Sequence, residues 1–342
     1  MEQLPIELER PKMHGYKIVC LKLGIVMCIY FIFRFLGALG SSLLNEHINI
    51  NPLAHSLLNM VVTVALVYIV PMIATAIAFK QMYHFNPWNP KVSELYKKPK
   101  RLAQALGTFP AMYGFGYGIA ILTLLAGYLI TRATGGGLIE DMLRPTTVGP
   151  TTTLSGALIM VFLLVIVAPI FEEIWVRGIM YDALKPYGDG IAILITSIIF
   201  GLMHGSINML FYTTALGFAL GYVRYATNSL LLVIILHAII NAIAAGLLFI
   251  MTMVELTHEA NRLINTVQNV YMLAMLTLII VGIIAFILKI PTIRKYRIEN
   301  NWPQVSSGKK TAVFFLSIPV ILMLILAINE HTHFWLISLI LP

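Results

Sequence analysis

Charge is the scarcest property of this chain. Only 11% of its 342 residues are Asp, Glu, Lys or Arg, against roughly 25% in soluble globular domains. With 59% hydrophobic residues and a mean hydropathy of +0.86, that scarcity excludes a soluble fold. Cysteine is nearly absent as well. Cys20 and Cys28 both fall in the first apolar segment, match no metal or redox spacing, and read as small apolar side chains. The zinc-binding pattern HExxH does not occur; the nearest look-alike, THEANR at 257–262, lacks the second histidine. No internal repeat or low-complexity tract interrupts the chain. Its net charge of +8 is not a nucleic-acid footprint, because the basic residues collect in particular loops and not on one patch.

What the chain has instead is a succession of apolar stretches, each long enough to cross a hydrocarbon core of about 30 Å as a helix. The hydropathy pattern predicts an all-α, polytopic helical membrane protein with about eight to nine transmembrane helices. The spans fall near 18–44, 56–79, 109–131, 156–184, 190–211, 208–226, 229–251, 270–289 and 311–329. Residues 1–342 are expected to form a single integral membrane domain. The basic N-terminus resembles a signal sequence, but the apolar run continues past Arg34 to Leu44, so a retained first helix is expected. Two segments are rich in cations: 80–101, with Lys80, Lys91, Lys97, Lys98, Lys100 and Arg101, and 289–310, with Lys289, Arg294, Lys295, Arg297, Lys309 and Lys310. Over nine spans both lie on the side of the N-terminus, which the positive-inside rule makes cytoplasmic.

Ionisable groups at membrane depth cost several kcal/mol unless paired or solvated, so each one asks for a reason. The stretch Phe171–Leu184, FEEIWVRGIMYDAL, follows a run without charge that reaches back to Arg144. Glu173 and Arg177 are i,i+4 in the order that favours an ion pair. Glu172 points about 100° away around the helix and must find another partner. It is therefore the carboxylate available as a general base; the bland alternative makes the three charges the interfacial anchor of a span. Pro169, one turn earlier, removes a backbone hydrogen bond and can kink the helix. Two histidines follow on later helices, His204 one turn before Asn208 and His237 one turn before Asn241. At about 1.5 Å per residue, Glu172, His204 and His237 lie about 18, 21 and 12 Å from the cytoplasmic side. Three helices can thus bring a carboxylate, two imidazoles and an amide together in a membrane-embedded cavity, a hydrolytic constellation. Arg34, within the first span, has no carboxylate in helical reach and takes no role from its spacing.

The ordered set E-E-x-x-x-R (Glu172, Glu173, Arg177), F-x-x-x-H (Phe200, His204) and H-x-x-x-N (His237, Asn241) resembles the CPBP intramembrane proteases. That family, also called Abi, includes the type II CAAX prenyl endopeptidases and bacterial bacteriocin-processing and self-immunity proteins. The resemblance covers about 154–250, which would be the catalytic core. It implies that Glu172 and His204 activate the attacking water, that His237 and Asn241 stabilise the oxyanion, and that Glu173, Arg177 and Phe200 support the site. Glu172, His204 and His237 could hold Zn²⁺ with water in a fourth position; a metal-free, glutamate-activated water is the other possibility. The expected activity is endopeptidase cleavage near the cytoplasmic face. The substrate would be a peptide or protein, CAAX-like or a bacterial peptide precursor, and the setting a lipid bilayer, that of a bacterial cell membrane. A non-catalytic membrane immunity or partner-binding protein is the alternative from another class, and a proton-coupled transporter a third.

Overall fold

The protein is described from a computed structural model, which covers residues 12–47, 50–79, 99–134, 153–205, 207–257, 262–295, 298 and 304–331. Among these residues the structure is helical throughout and contains no strand. We number the helices α1 (Met13–His47), α2 (Pro52–Phe79), α3 (Leu102–Thr134), α4 (Leu154–Tyr187) and α5 (Asp189–Leu202). They continue as α6 (Ile207–Thr227), α7 (Leu230–Thr257), α8 (Arg262–Lys295), α9 (Ser307–Phe315) and α10 (Ile318–His331). The protein is an all-α, multi-pass integral membrane protein.

Every apolar segment expected to span is helical, yet the described residues hold six helices long and apolar enough to cross a membrane, or seven if α9 and α10, bent by 70°, count as one span. The difference from nine lies in α5 and α6. With 14 residues, α5 rises only about 21 Å, short of a core of about 30 Å. Helix α6 has the length, 21 residues, but its hydroxyl-bearing residues and Arg224 lower its hydropathy. Most of the basic stretch 80–101 and of the THEANR segment lies outside the described residues, as do 296–297 and 299–303 of the stretch 289–310.

Local chemistry explains several helix starts. Asn51 caps α2 by accepting from the Ala54 N–H, with Pro52 in the first turn, where its missing N–H costs nothing. Thr153 caps α4 through the Gly156 N–H. Within α2 and α4 a wider turn precedes a proline. The Val70 N–H reaches back to Ala65 O before Pro71, and the Ala168 N–H to Leu163 O before Pro169. Such i→i−5 turns are a common answer to a proline that cannot donate.

Helices α5 and α6 form an antiparallel hairpin. The pattern GFALG at 217–221 allows the close approach: Gly217 faces Ser197 and Gly221 faces Ile193, small residues letting two membrane helices touch along their backbones. Gly205, at φ 64°, ends the turn in the left-handed region that glycine occupies without cost. At the opposite end of this hairpin the polar groups gather. Tyr181 donates to Asp189 at 2.5 Å, Arg224 donates to Asn228 at 2.7 Å and pairs with Asp182 at 3.4 Å, and the Lys310 ammonium donates to Tyr187 O at 2.7 Å.

A methyl group added at Gly217 would sit 2.9 Å from Ser197 Cα and 3.2 Å from Ser197 O, backbone atoms that cannot rotate away. Gly217→Ala is therefore expected to destabilise the hairpin by about 1–3 kcal/mol, read as a lowered midpoint in thermal unfolding of the purified protein. An unchanged midpoint would show that the hairpin is not packed this closely.

Candidate active site

Glu173, at the start of a wide-turn segment of α4, is fully buried together with Arg177. The expected pair forms: Arg177 Nη1 donates to Glu173 Oε1 at 3.0 Å. The same oxygen also accepts from His237 Nδ1, on α7, at 2.8 Å. Glu173 is thus more than a counter-ion for Arg177, because it also holds one of the imidazoles. Sequence spacing showed only the first contact, since the second joins two helices 64 residues apart. Arg177 is fixed further by donation from Nη2 to Gly217 O at 3.3 Å. The Phe200 ring lies 4.2 Å from its guanidinium carbon, within the range of a cation–π contact.

The spare carboxylate lies where the helical spacing puts it, away from Arg177. Glu172 Oε1 accepts from the Tyr68 hydroxyl of α2 at 3.4 Å, and its Oε2 stands 3.9 Å from His237 Nε2. Its side chain keeps 12% of its surface exposed, against none for Glu173, so of the two carboxylates it is the one a small molecule can reach.

Both imidazoles have assignable tautomers. A carbonyl oxygen only accepts, so the 2.7 Å contact between His204 Nδ1 and Phe200 O places a proton on Nδ1. The carboxylate of Glu173 imposes the same on His237 Nδ1. In each ring Nε2 is then the nitrogen that this contact does not use. Phe200 is the common neighbour, its ring centroid 4.9 Å from that of His204 and 5.6 Å from that of His237, edge-on in both cases.

Asn241 is oriented by a backbone defect. The Ala168 N–H is engaged with Leu163 O and Pro169 has no N–H, so neither serves Leu164 O; the Asn241 amide donates to that carbonyl at 2.8 Å. One amide hydrogen is used there and the second remains. The side chain of Asn208, singled out beside His204, lies outside the described residues.

Among the described residues no group of three His, Cys, Asp or Glu side chains is placed to hold a metal ion. A groove of ≈ 450 Å³ along α8, lined by Val270, Leu273, Ala274, Thr277, Leu278 and Val281, includes none of the site residues.

Sequence reasoning missed Tyr68. A tyrosine in an apolar helix carries no signal of its own, and α2 lies outside every motif. The structure ties α2 to α4 twice more, through the Trp175 indole donating to Thr75 Oγ1 at 2.6 Å and the Tyr68–Phe171 ring contact at 5.5 Å.

The fold and site define a polytopic membrane protein with two adjacent carboxylates and two imidazoles, of which Glu173 and His237 are buried and Glu172 and His204 partly so. Residues 154–243 match the family described as Type II CAAX prenyl endopeptidase Rce1-like. A protein of Bacillus subtilis (strain 168), named "Putative membrane peptidase YdiL", is 30% identical over 133 residues, covering 36% of this chain and 54% of that relative. The family match spans all three motifs, so over that segment the chain is similar to the CPBP family. It spans about half the length of the curated relative it matches. No solved structure matches the chain.

The two carboxylates differ in what their loss should do. Glu173→Gln leaves the buried Arg177 without its counter-charge, which for buried pairs costs about 3–5 kcal/mol. Glu172→Gln removes a partly exposed group bonded to a single hydroxyl. Thermal unfolding followed by tryptophan fluorescence is expected to show a large fall in midpoint for Glu173→Gln and little change for Glu172→Gln. Equal shifts would contradict the division of roles.

Proposed function

We propose that the protein is an intramembrane endopeptidase in which Glu172 and His204 activate a water molecule and His237 and Asn241 receive the oxyanion. The observation that carries this reading is the arrangement around Glu172. A reachable carboxylate lies beside His237, whose Nδ1 is anchored by a second, inaccessible carboxylate, so its Nε2 is directed at the same place.

The chemistry follows from the groups. Glu172 as carboxylate takes a proton from water, whose oxygen adds to the scissile carbonyl carbon. His204, with its Nδ1 proton committed to Phe200 O, offers the Nε2 lone pair to the same water. Negative charge then collects on the carbonyl oxygen. His237 in its doubly protonated form, with Nδ1 held by Glu173, donates from Nε2, and Asn241 donates its remaining amide hydrogen. Preorganised donors of this kind are most effective where water is excluded. The proton held by Glu172 passes to the leaving nitrogen as the C–N bond breaks, restoring the carboxylate.

The substrate in this reading is a peptide segment cleaved near the cytoplasmic face, the side on which the N-terminus would lie. It is CAAX-like or a bacterial peptide precursor. Comparison of peptides from cells carrying the native protein and Glu172→Ala would identify it.

Cleavage of a susceptible peptide by purified protein is expected to fall by about 100-fold or more in Glu172→Gln and in His204→Ala, with the thermal midpoint retained. Full activity in either variant would falsify the assignment. Full complementation of a deletion phenotype by variants of Glu172, His204 and His237 would favour a non-catalytic, partner-binding protein.

A further inference from the structure

Helix α5, with 14 residues, is too short to cross a bilayer core, and a helix end away from water must satisfy its last carbonyls within the protein. The Met203 N–H returns to Ile199 O at 3.0 Å and the His204 N–H to Gly201 O at 3.2 Å. The His204 imidazole takes Phe200 O. Met203 O, the carbonyl of the residue directly before His204, is met from another helix. Two side chains of α1 meet it. Tyr30 donates its hydroxyl at 3.0 Å, and Arg34 donates from Nη1 to the same carbonyl and to the Tyr30 hydroxyl at 2.9 Å. The three groups close a triangle on one atom of the turn that carries His204. Tyr30 is itself buried, its ring 5.3 Å from that of Trp175 on α4.

The charge has a reason as well as the hydrogen bonds. The C-terminus of a helix carries partial negative charge on its carbonyls, and a cation there is stabilising, more so where water does not screen it. Arg34 supplies that cation at the C-terminal end of α5. A planar guanidinium with several donors can bond a carbonyl and a hydroxyl together, which an ammonium does less well.

We infer that Arg34, with Tyr30, is a positioning residue for His204, holding the broken end of α5 so that the imidazole stays aimed at Glu172's water. This rests on the protease reading for its catalytic consequence, but the clamp on His204 can be measured without it. Neither residue lies in the segment that matches the family.

Isotope-labelled histidine spectra of the full chain in lipid nanodiscs, with His204 and His237 assigned by their loss in His204→Asn and His237→Asn, test the clamp. Arg34→Met is expected to move or broaden the His204 ring signals while those of His237 stay, and Arg34→Lys to restore them in part. Tyr30→Phe, which deletes one hydroxyl without changing charge, moves them in the same direction by less. It also decides the matter should Arg34→Met fail to fold. In the peptide assay Arg34→Met should lower kcat by about 10- to 100-fold, the scale of a small misplacement of a catalytic group, with KM unchanged. His204 signals unmoved in the folded variants, or His204 and His237 moving equally, would overturn the inference. A native protein that cleaves no peptide would defeat the protease reading and leave the His204 spectra to judge Arg34.

Discussion

One carboxylate oxygen holds the site together. Glu173 Oε1 accepts from Arg177 on its own helix and from His237 on another, in a place where both side chains of the ion pair are wholly buried. Without water to solvate it, each of these groups is tolerable only because the others are present. Removing the carboxylate strands a guanidinium, and removing the guanidinium strands a carboxylate. Arg177 extends the dependence to Gly217 O and the face of Phe200, and Phe200 in turn packs against both imidazoles. Helices α4, α5, α6 and α7 are thus locked by one polar cluster, leaving Glu172, its immediate neighbour in sequence, the more accessible carboxylate.

Two departures from regular helix place the remaining groups. In α4 the wide turn before Pro169 releases Leu164 O, and Asn241 is drawn to it. In α5 the helix stops short, and its open end is met by Tyr30 and Arg34. In both cases a backbone group that would be solvated in a soluble protein recruits a side chain from another helix. Breaks in helices inside a membrane are tolerated only where such partners exist. The breaks bring polar residues to the site, and the shortage of water holds them there.

Much of this was legible along the chain. The scarcity of charge and the length of the apolar runs define the class, because the bilayer imposes a length and a composition on anything that crosses it. The pair Glu173–Arg177 follows from the helical period alone, as does the separation of Glu172 from Arg177. The three motifs and their order carry the resemblance to the family, and all three lie in the segment that matches it. The number of crossings was harder to read. The residues 190–211 look like one apolar span, yet α5 stops at Leu202, because a turn through Met203 and Gly205 is stabilised by contacts from α1 that hydropathy does not register.

The sequence by itself determined that this is a helical membrane protein, where its buried charges lie, and which two of them pair within a helix. All of these depend on interactions between residues a turn apart or on the average character of a segment. Only the tertiary structure decided that Glu173 also holds His237, that Tyr68 bonds Glu172, that Asn241 answers the proline of α4 and that Arg34 closes the end of α5. Those contacts join residues 64 to 169 positions apart. The helical period repeats every 3.6 residues and carries no information about which face of one helix will meet which face of another. That choice belongs to the packing of the whole bundle.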